Sequence, residues 1–295
     1  MKKTLILLLL ALPAAAFAQT TYDEGFSFGA RAMVEADVKL ASGLHLLAHE
    51  ETRFYAGSEE ALHYAGSQDF LRFYTGVGIE YKVFPFLKVG AEYEYINRLK
   101  HIWDEKKDGR VEEDDEWSAR HRGNFFLTGT FKTTDWQFSL KETFRMTYRT
   151  DDLNAYQAPR TALALKSKAS VKYLGWGKVV PFTAFEVRNT FNDASYSATY
   201  NPSATANKDK YLNETFLGYK HAYINRYRVQ AGVTVKFNKH HEMDFYLLGD
   251  HYRNKEIDTN REGSDSWKEN GLVLKSIEWR TGNMLSAGIS YKWSF

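Results

Sequence analysis

The last eleven residues alternate without a break. Leu285, Ala287, Ile289, Tyr291, Trp293 and Phe295 fall on one side of an extended chain, and Ser286, Gly288, Ser290, Lys292 and Ser294 fall on the other. Side chains of a strand point to opposite faces in turn, so one whole sheet surface here is apolar and aromatic up to a terminal Phe, where chain ends ordinarily fray into polar residues. Such a surface needs an apolar medium or a partner sheet against it.

The same two-faced grammar recurs along the chain. Phe26, Phe28, Ala30, Ala32, Val34, Ala36, Val38 and Leu40 alternate with Ser27, Gly29, Arg31, Met33, Glu35, Asp37 and Lys39. Leu71 to Val83, Leu87 to Tyr95, Trp136 to Arg149, Leu163 to Tyr173 and Tyr227 to Phe237 repeat it, in runs of about 12 to 16 residues, where globular strands usually have about 5 to 6. Short turns near Ala41-Ser42-Gly43, Phe84-Pro85-Phe86, Thr133-Thr134-Asp135, Gly175-Trp176-Gly177 and Asn238-Lys239-His240 take turns with long polar connections near 57–68, 101–117, 150–160, 192–214 and 255–270. Short turns on one rim and long loops on the other describe an all-β, single up-and-down antiparallel transmembrane β-barrel, whose tight end normally faces the periplasm. Five short turns pair ten strands, and the tail from Gly271 is either one strand or two split at Thr281-Gly282-Asn283. An antiparallel closure demands an even number, so the expectation is about 12 strands, with 10 as the alternative. With the short turns in the periplasm, the first strand would begin at the outer rim, a conflict that the sequence leaves open.

Composition agrees. Aromatics make up 16% of the chain, with 19 Tyr and 20 Phe, which suits strands and aromatic girdles at two membrane interfaces. Mean hydropathy is −0.50, and no long apolar run follows residue 18, which excludes membrane-spanning helices but not a barrel that hides its hydrophobicity in alternation. Lys2 and Lys3 precede an apolar run from Leu5 to Leu12, and Ala16-Phe17-Ala18 offers a small-x-small cleavage site. Residues 1–18 therefore read as a cleaved secretory signal peptide and 19–295 as one barrel domain. The 39 Lys+Arg face 37 Asp+Glu, and without Lys2 and Lys3 the two balance, which argues against a nucleic-acid partner. The absence of Cys excludes disulfides, thiolate metal sites and a Cys nucleophile.

The signal peptide, the hairpin series opening with Glu35 to Leu40, the Glu50-Glu51-Thr52-Arg53 segment and the closing Gly288-Ile289-Ser290-Tyr291-Lys292-Trp293-Ser294-Phe295 resemble an uncharacterised outer-membrane β-barrel family common in Bacteroidota, across essentially the whole mature chain. The closing segment resembles the terminal strand of bacterial outer-membrane barrels in general. The resemblance implies export to the cell outer membrane, with lipid, lipopolysaccharide and the barrel-assembly machinery as partners, the last through the strand ending in Phe295. It brings no catalytic or ligand residues and no cofactor.

The inward face would be charged. Lys141, Arg145, Arg149, Lys166, Lys168, Lys172, Arg188, Arg226 and Arg228 fall on neighbouring strands, and Glu35, Glu51, Glu80, Glu92 and Glu94 on earlier ones. One wall would be basic and the facing wall acidic, which suits a non-catalytic small pore or passive channel with a transverse field. Charges that cross-pair and plug the barrel, as in a closed structural or adhesion barrel, are the equal alternative. A barrel enzyme with a protease- or lipase-like rim site is the reading from a different class, set beside the closed barrel as an alternative to the pore.

Candidate chemistry is sparse. His45 and His49 share a face, but four residues along a strand put them about 13 Å apart, too far to chelate one metal together. His240-His241 with Asp244, and Asp250-His251, resemble part of what omptin proteases use, yet adjacent strand residues point to opposite faces. The acidic segment His101 to Trp117 half-matches a calcium loop, with Asp104, Asp108, Gly109 and Asp115 at positions one, five, six and twelve but Lys106 at the third. A solvated external loop, bridging divalent cations to lipopolysaccharide, is its default reading.

Overall fold

A computed structural model describes residues 21–57, 69–105, 111–150, 161–191, 222–259 and 274–295. They form eleven strands and no helix: β1 (Thr21–Ala41), β2 (Leu44–Gly57), β3 (Asp69–Phe84), β4 (Leu87–Glu105), β5 (Val111–Lys132), β6 (Trp136–Arg149), β7 (Thr161–Tyr173), β8 (Val179–Thr190), β9 (Tyr223–Lys236), β10 (His241–Thr259) and β11 (Leu274–Ser294). Each pairs with its sequence neighbours in antiparallel fashion, and β11 closes the sheet onto β1. Up-and-down connectivity follows from the five tight turns read in the sequence; at the first of them Gly43 takes the left-handed φ of 75° that a side chain would disfavour.

The strand count corrects the expectation of 12 or 10. Thr281, Gly282 and Asn283 do not split the tail but pair in register with Arg253, Tyr252 and His251. An even number is obligatory only when the seam is antiparallel. Here β1 and β11 run parallel, in register from Phe26↔Asn283 to Asp37↔Ser294, so an odd number closes. The same seam resolves the conflict over the first strand: β1 does start at the rim of the long connections, and β11 ends at the rim of the tight turns. The Phe295 amide donates to the Asp37 carbonyl at 2.9 Å, and the Lys39 amide to the Phe295 carbonyl at 3.2 Å, fastening the last residue to β1.

A second correction concerns the acidic segment. Much of it is strand, not loop, because β4 extends to Glu105 and β5 starts at Val111, with Asp104 opposite Glu112 and His101 opposite Asp115. Residues 106–110 lie outside the described residues, as do 1–18 and most of the other long connections.

The registers carry one face consistently round the barrel. Phe28, Val34, Phe54, Val77, Ile79, Phe125, Leu127, Leu140, Phe185, Val229, Leu247 and Leu285 are all exposed on the outside. Aromatic rings crowd both ends, with Phe84, Phe86, Trp136, Trp176, Phe237, Trp293 and Phe295 at the tight-turn rim and Phe26, Phe54, Trp117 and Tyr148 toward the other. Inside, Ser27, Arg31, Glu51, Glu94, Arg98, Asn124, Glu186, Arg226 and Asp250 are buried. Apolar outside and charged inside is the reverse of a soluble barrel and is the polarity of a membrane barrel.

That polarity makes the cost of an outward charge depend on depth. Leu247→Arg, in the middle of β10, is expected to destabilise the folded barrel by about 2–4 kcal/mol, and Leu40→Arg, beside the first tight turn, by about 1 kcal/mol or less. Equilibrium unfolding in lipid vesicles measures both, and equal costs at the two positions would contradict the placement of the apolar band.

Candidate functional site: the charged lumen

Directly paired residues of a sheet share a face, so the registers convert the inward alternation into rungs around the lumen. One rung reads Asp250, Arg228, Glu186, Lys168, Lys141 across β10, β9, β8, β7 and β6. Another reads Glu35, His49, Gly76, Glu94, Arg122, Thr147 across β1 to β6.

All eleven lumen-lining candidates lie on this inward face, but the two opposed walls do not exist. The basic half contains two acids that the sequence reading did not place in the lumen. Asp250 accepts from both Arg228 Nε, at 2.6 Å, and Arg228 Nη2, at 2.8 Å. Tyr252 Oη donates to it at 3.2 Å, and Arg31 Nη2 from β1 approaches to 3.6 Å. Glu186 takes Lys166 Nζ at 3.0 Å and pairs with Arg226. The acidic half in turn contains arginines. Arg53 pairs with Glu51 and donates to Tyr74 Oη at 3.0 Å, with its guanidinium 4.0 Å from the Tyr74 ring centroid. Arg122 Nη1 donates to Glu94 at 3.0 Å, and from the basic half Arg145 Nε donates to Asn124 Oδ1 at 3.0 Å.

Toward the tight-turn rim the remaining candidates are less enclosed. Lys88 Nζ donates to Glu80 at 2.6 Å, Lys168 Nζ to Gln230 Oε1 at 3.2 Å, and the Lys141 and Lys172 ammonium groups sit over the Phe126 and Phe182 rings at 4.1 and 5.8 Å. Toward the opposite rim, Arg188 donates to Asn225 Oδ1 at 2.7 Å. Arg149 pairs in register with Arg120. The walls fail as a picture because alternation tells which residues point inward, while the register decides which acid each base meets.

At mid-height these groups are sealed. The side chain of Asp250 is 0% exposed, Arg31 3%, Glu186 5% and Arg226 7%. A charge taken out of water requires a partner with good geometry, and each of these carboxylates has at least two cationic neighbours. Glu51 on β2 also lies within electrostatic reach of Arg31 and of Arg228 on β9.

A second cluster surrounds His49, whose ring lies between two carboxylates of β4. Its Nε2 is 3.4 Å from Glu94 Oε1, and its Nδ1 is 3.9 Å from Glu92 Oε2. Along its own strand His49 shares a face with His45, whereas these partners come to it only through the register of β2, β3 and β4. His45 goes elsewhere, its Nδ1 lying 2.7 Å from Asp37 Oδ1. The readable signal was the pair of inward glycines on the intervening strand, Gly76 and Gly78.

The rim His residues separate from their acids as alternation requires. Asp250 is buried in the lumen, whereas His251 is exposed and its Nδ1 lies 2.9 Å from Asn283 Oδ1. His240 Nδ1 lies 2.6 Å from the Ser294 carbonyl. His241 stacks on Trp293, whereas Asp244 pairs in register with Thr234 and Ser290 on the inner face. Of the calcium candidates, Asp104 and Asp115 stand on β4 and β5, and Asp108 lies outside the described residues.

The model of a family described as a protein of unknown function, DUF2490, matches residues 28–261, from the first strand through β10. The chain belongs to the DUF2490 family. No curated protein matches it. Among solved structures, this DUF2490 barrel is similar to the crystal structure of the β-domain of the Bordetella autotransporter BrkA. Sequence identity is 12%, the match covers 87% of this chain and 86% of that one, and the TM-score is 0.44.

Removing Asp250 would strand Arg31, Arg226 and Arg228 in a dry layer. Asp250→Ala is expected to destabilise the barrel by about 3–5 kcal/mol, as loss of one member of a buried charge cluster does. Urea unfolding of the refolded protein measures this, and a change below about 1 kcal/mol, the range of an exposed pair, would show that water reaches the site.

Proposed function

We propose that the protein is an integral outer-membrane barrel, exported by the signal peptide at residues 1–18, non-catalytic, and closed at rest by the ion-paired layer in its lumen. The observation that carries this reading is the complete burial of Asp250 among Arg31, Arg226 and Arg228. An open aqueous path through that layer would hydrate these groups. The protein then works through its wall and its long polar connections, as a structural or adhesion element of the membrane. Lipid and lipopolysaccharide cover the apolar band. A hollow of about 650 Å³ on the wall, where Gly129, Ala169 and Thr183 are small between Phe131, Phe138, Leu140 and Phe185, has the apolar lining an acyl chain takes. The strand ending in Phe295 is the element offered to the barrel-assembly machinery. The non-catalytic assignment is supported by the opposite facing of Asp250 and His251, which keeps that acid and that imidazole from acting together.

A narrow charged pore is the second reading, favoured by the partly exposed Lys88, Lys141, Lys168 and Lys172 that line a polar vestibule at the tight-turn end. Planar-bilayer recording separates the two. The wild-type protein is expected to give no conductance steps at neutral pH, and the charge-balanced double variant Glu186→Ala, Arg228→Ala to give them. Steady wild-type steps, with a reversal potential that moves when Lys141, Arg145, Lys168 and Arg226 are neutralised, would replace the closed barrel by the pore.

A further inference from the structure

We propose that His49, Glu92 and Glu94 bind one divalent transition-metal cation in the lumen, a site that does not depend on whether the barrel conducts. One nitrogen of His49 and one oxygen from each carboxylate all lie within 4.8 Å of one another. Ligands at the usual bond lengths of about 2.0–2.2 Å around a tetrahedral ion stand about 3.4 Å apart, so a contraction of about 1.4 Å or less completes the set. Three protein ligands leave the fourth position to water.

The cluster is built, not incidental. His49 and Glu94 sit two strands apart on one rung, separated by Gly76 of β3. A Cβ at Gly76 would stand 2.1 Å from His49 Cε1, so the imidazole crosses β3 through the space that glycine leaves. Any larger residue would close that passage.

The carboxylates are also aimed. Asn124 Nδ2 donates to Glu92 Oε1 and to Glu94 Oε2, each at 3.0 Å, and Arg122 Nη1 donates to the same Glu94 oxygen. The other oxygens, Glu92 Oε2 and Glu94 Oε1, are the two that face His49. A buried amide that fixes two carboxylates while leaving one oxygen of each turned inward is the outer support that metal sites use.

Charge and ligand type select the ion. Glu92 and Glu94 face the ring as carboxylates, with Glu35 paired in register with His49, so the ligand set carries the negative charge a dication needs. One imidazole with two carboxylates suits zinc, cobalt, nickel or manganese, whereas calcium needs six to eight oxygens that this rung does not supply. His49 and Glu92 remain partly open to the lumen, which gives the ion an entry route to the buried Glu94.

The test uses the full chain folded in detergent micelles, stripped with chelator and titrated with Co²⁺. One equivalent is expected, with the visible absorption of low-coordinate Co²⁺, displaced by Zn²⁺. His49→Gln and Glu94→Gln are expected to abolish it. Gly76→Ala keeps every ligand yet pushes the ring away, and Asn124→Ala releases the carboxylates; each should weaken binding about tenfold or more. Heat-modifiable gel migration verifies that each variant is folded, and the near-isosteric Glu92→Gln serves in place of any that is not. No stoichiometric Co²⁺ uptake by the wild type would overturn the site, as would uptake unchanged by His49→Gln or Gly76→Ala. A conductance result leaves these outcomes untouched.

Discussion

Closure of the sheet on itself is the constraint on which the rest of this molecule depends. In an apolar medium every unpaired backbone amide or carbonyl costs several kcal/mol, so a sheet can cross it only without edges. Here the two strands that would have been edges, β1 and β11, pair in parallel over most of their length. That choice permits an odd number of strands and puts the start of β1 and the end of β11 at opposite rims. Phe295 completes the seam with hydrogen bonds to β1 on both its amide and its carbonyl.

Closure with eleven strands makes a narrow interior, and a narrow interior makes the charges inside it mutually dependent. Asp250 and Glu186 hold four cationic side chains drawn from β1, β7 and β9. Two rungs away on the other side, Asn124 ties the acids of β4 to Arg145 of β6. Small residues set where this packing can happen. Gly288 leaves room for the Tyr246 ring in the same way that Gly76 leaves room for His49. The middle layer of the lumen is therefore a cross-paired polar network.

Much of this was readable in advance, for reasons specific to particular residues. Leu285 to Phe295 announces an apolar face because side-chain direction along a strand depends only on the residue count. The inward position of Lys141, Arg145, Arg226 and Arg228 follows from the same count, and so does the separation of Asp250 from His251. The acidic stretch after His101 reads as loop because its charges look solvated, whereas the backbone pairing of β4 with β5 extends into it. The partners of His49 were missed because it was compared with His45 along its own strand. Its ligand-distance neighbours are on β4, with a strand between.

The sequence by itself determined the period, the two faces, the tight turns and hence a barrel of membrane polarity, since each of these is set within a few residues of chain. Tertiary structure alone decided the parallel seam, the count of eleven strands among the described residues, the mixing of acids and bases around the lumen, and the meeting of His49 with Glu92 and Glu94. These depend on which strand lies beside which and in what register. No local pattern carries that information, because sliding or reordering the strands by an even number of residues preserves every alternation and changes every partner.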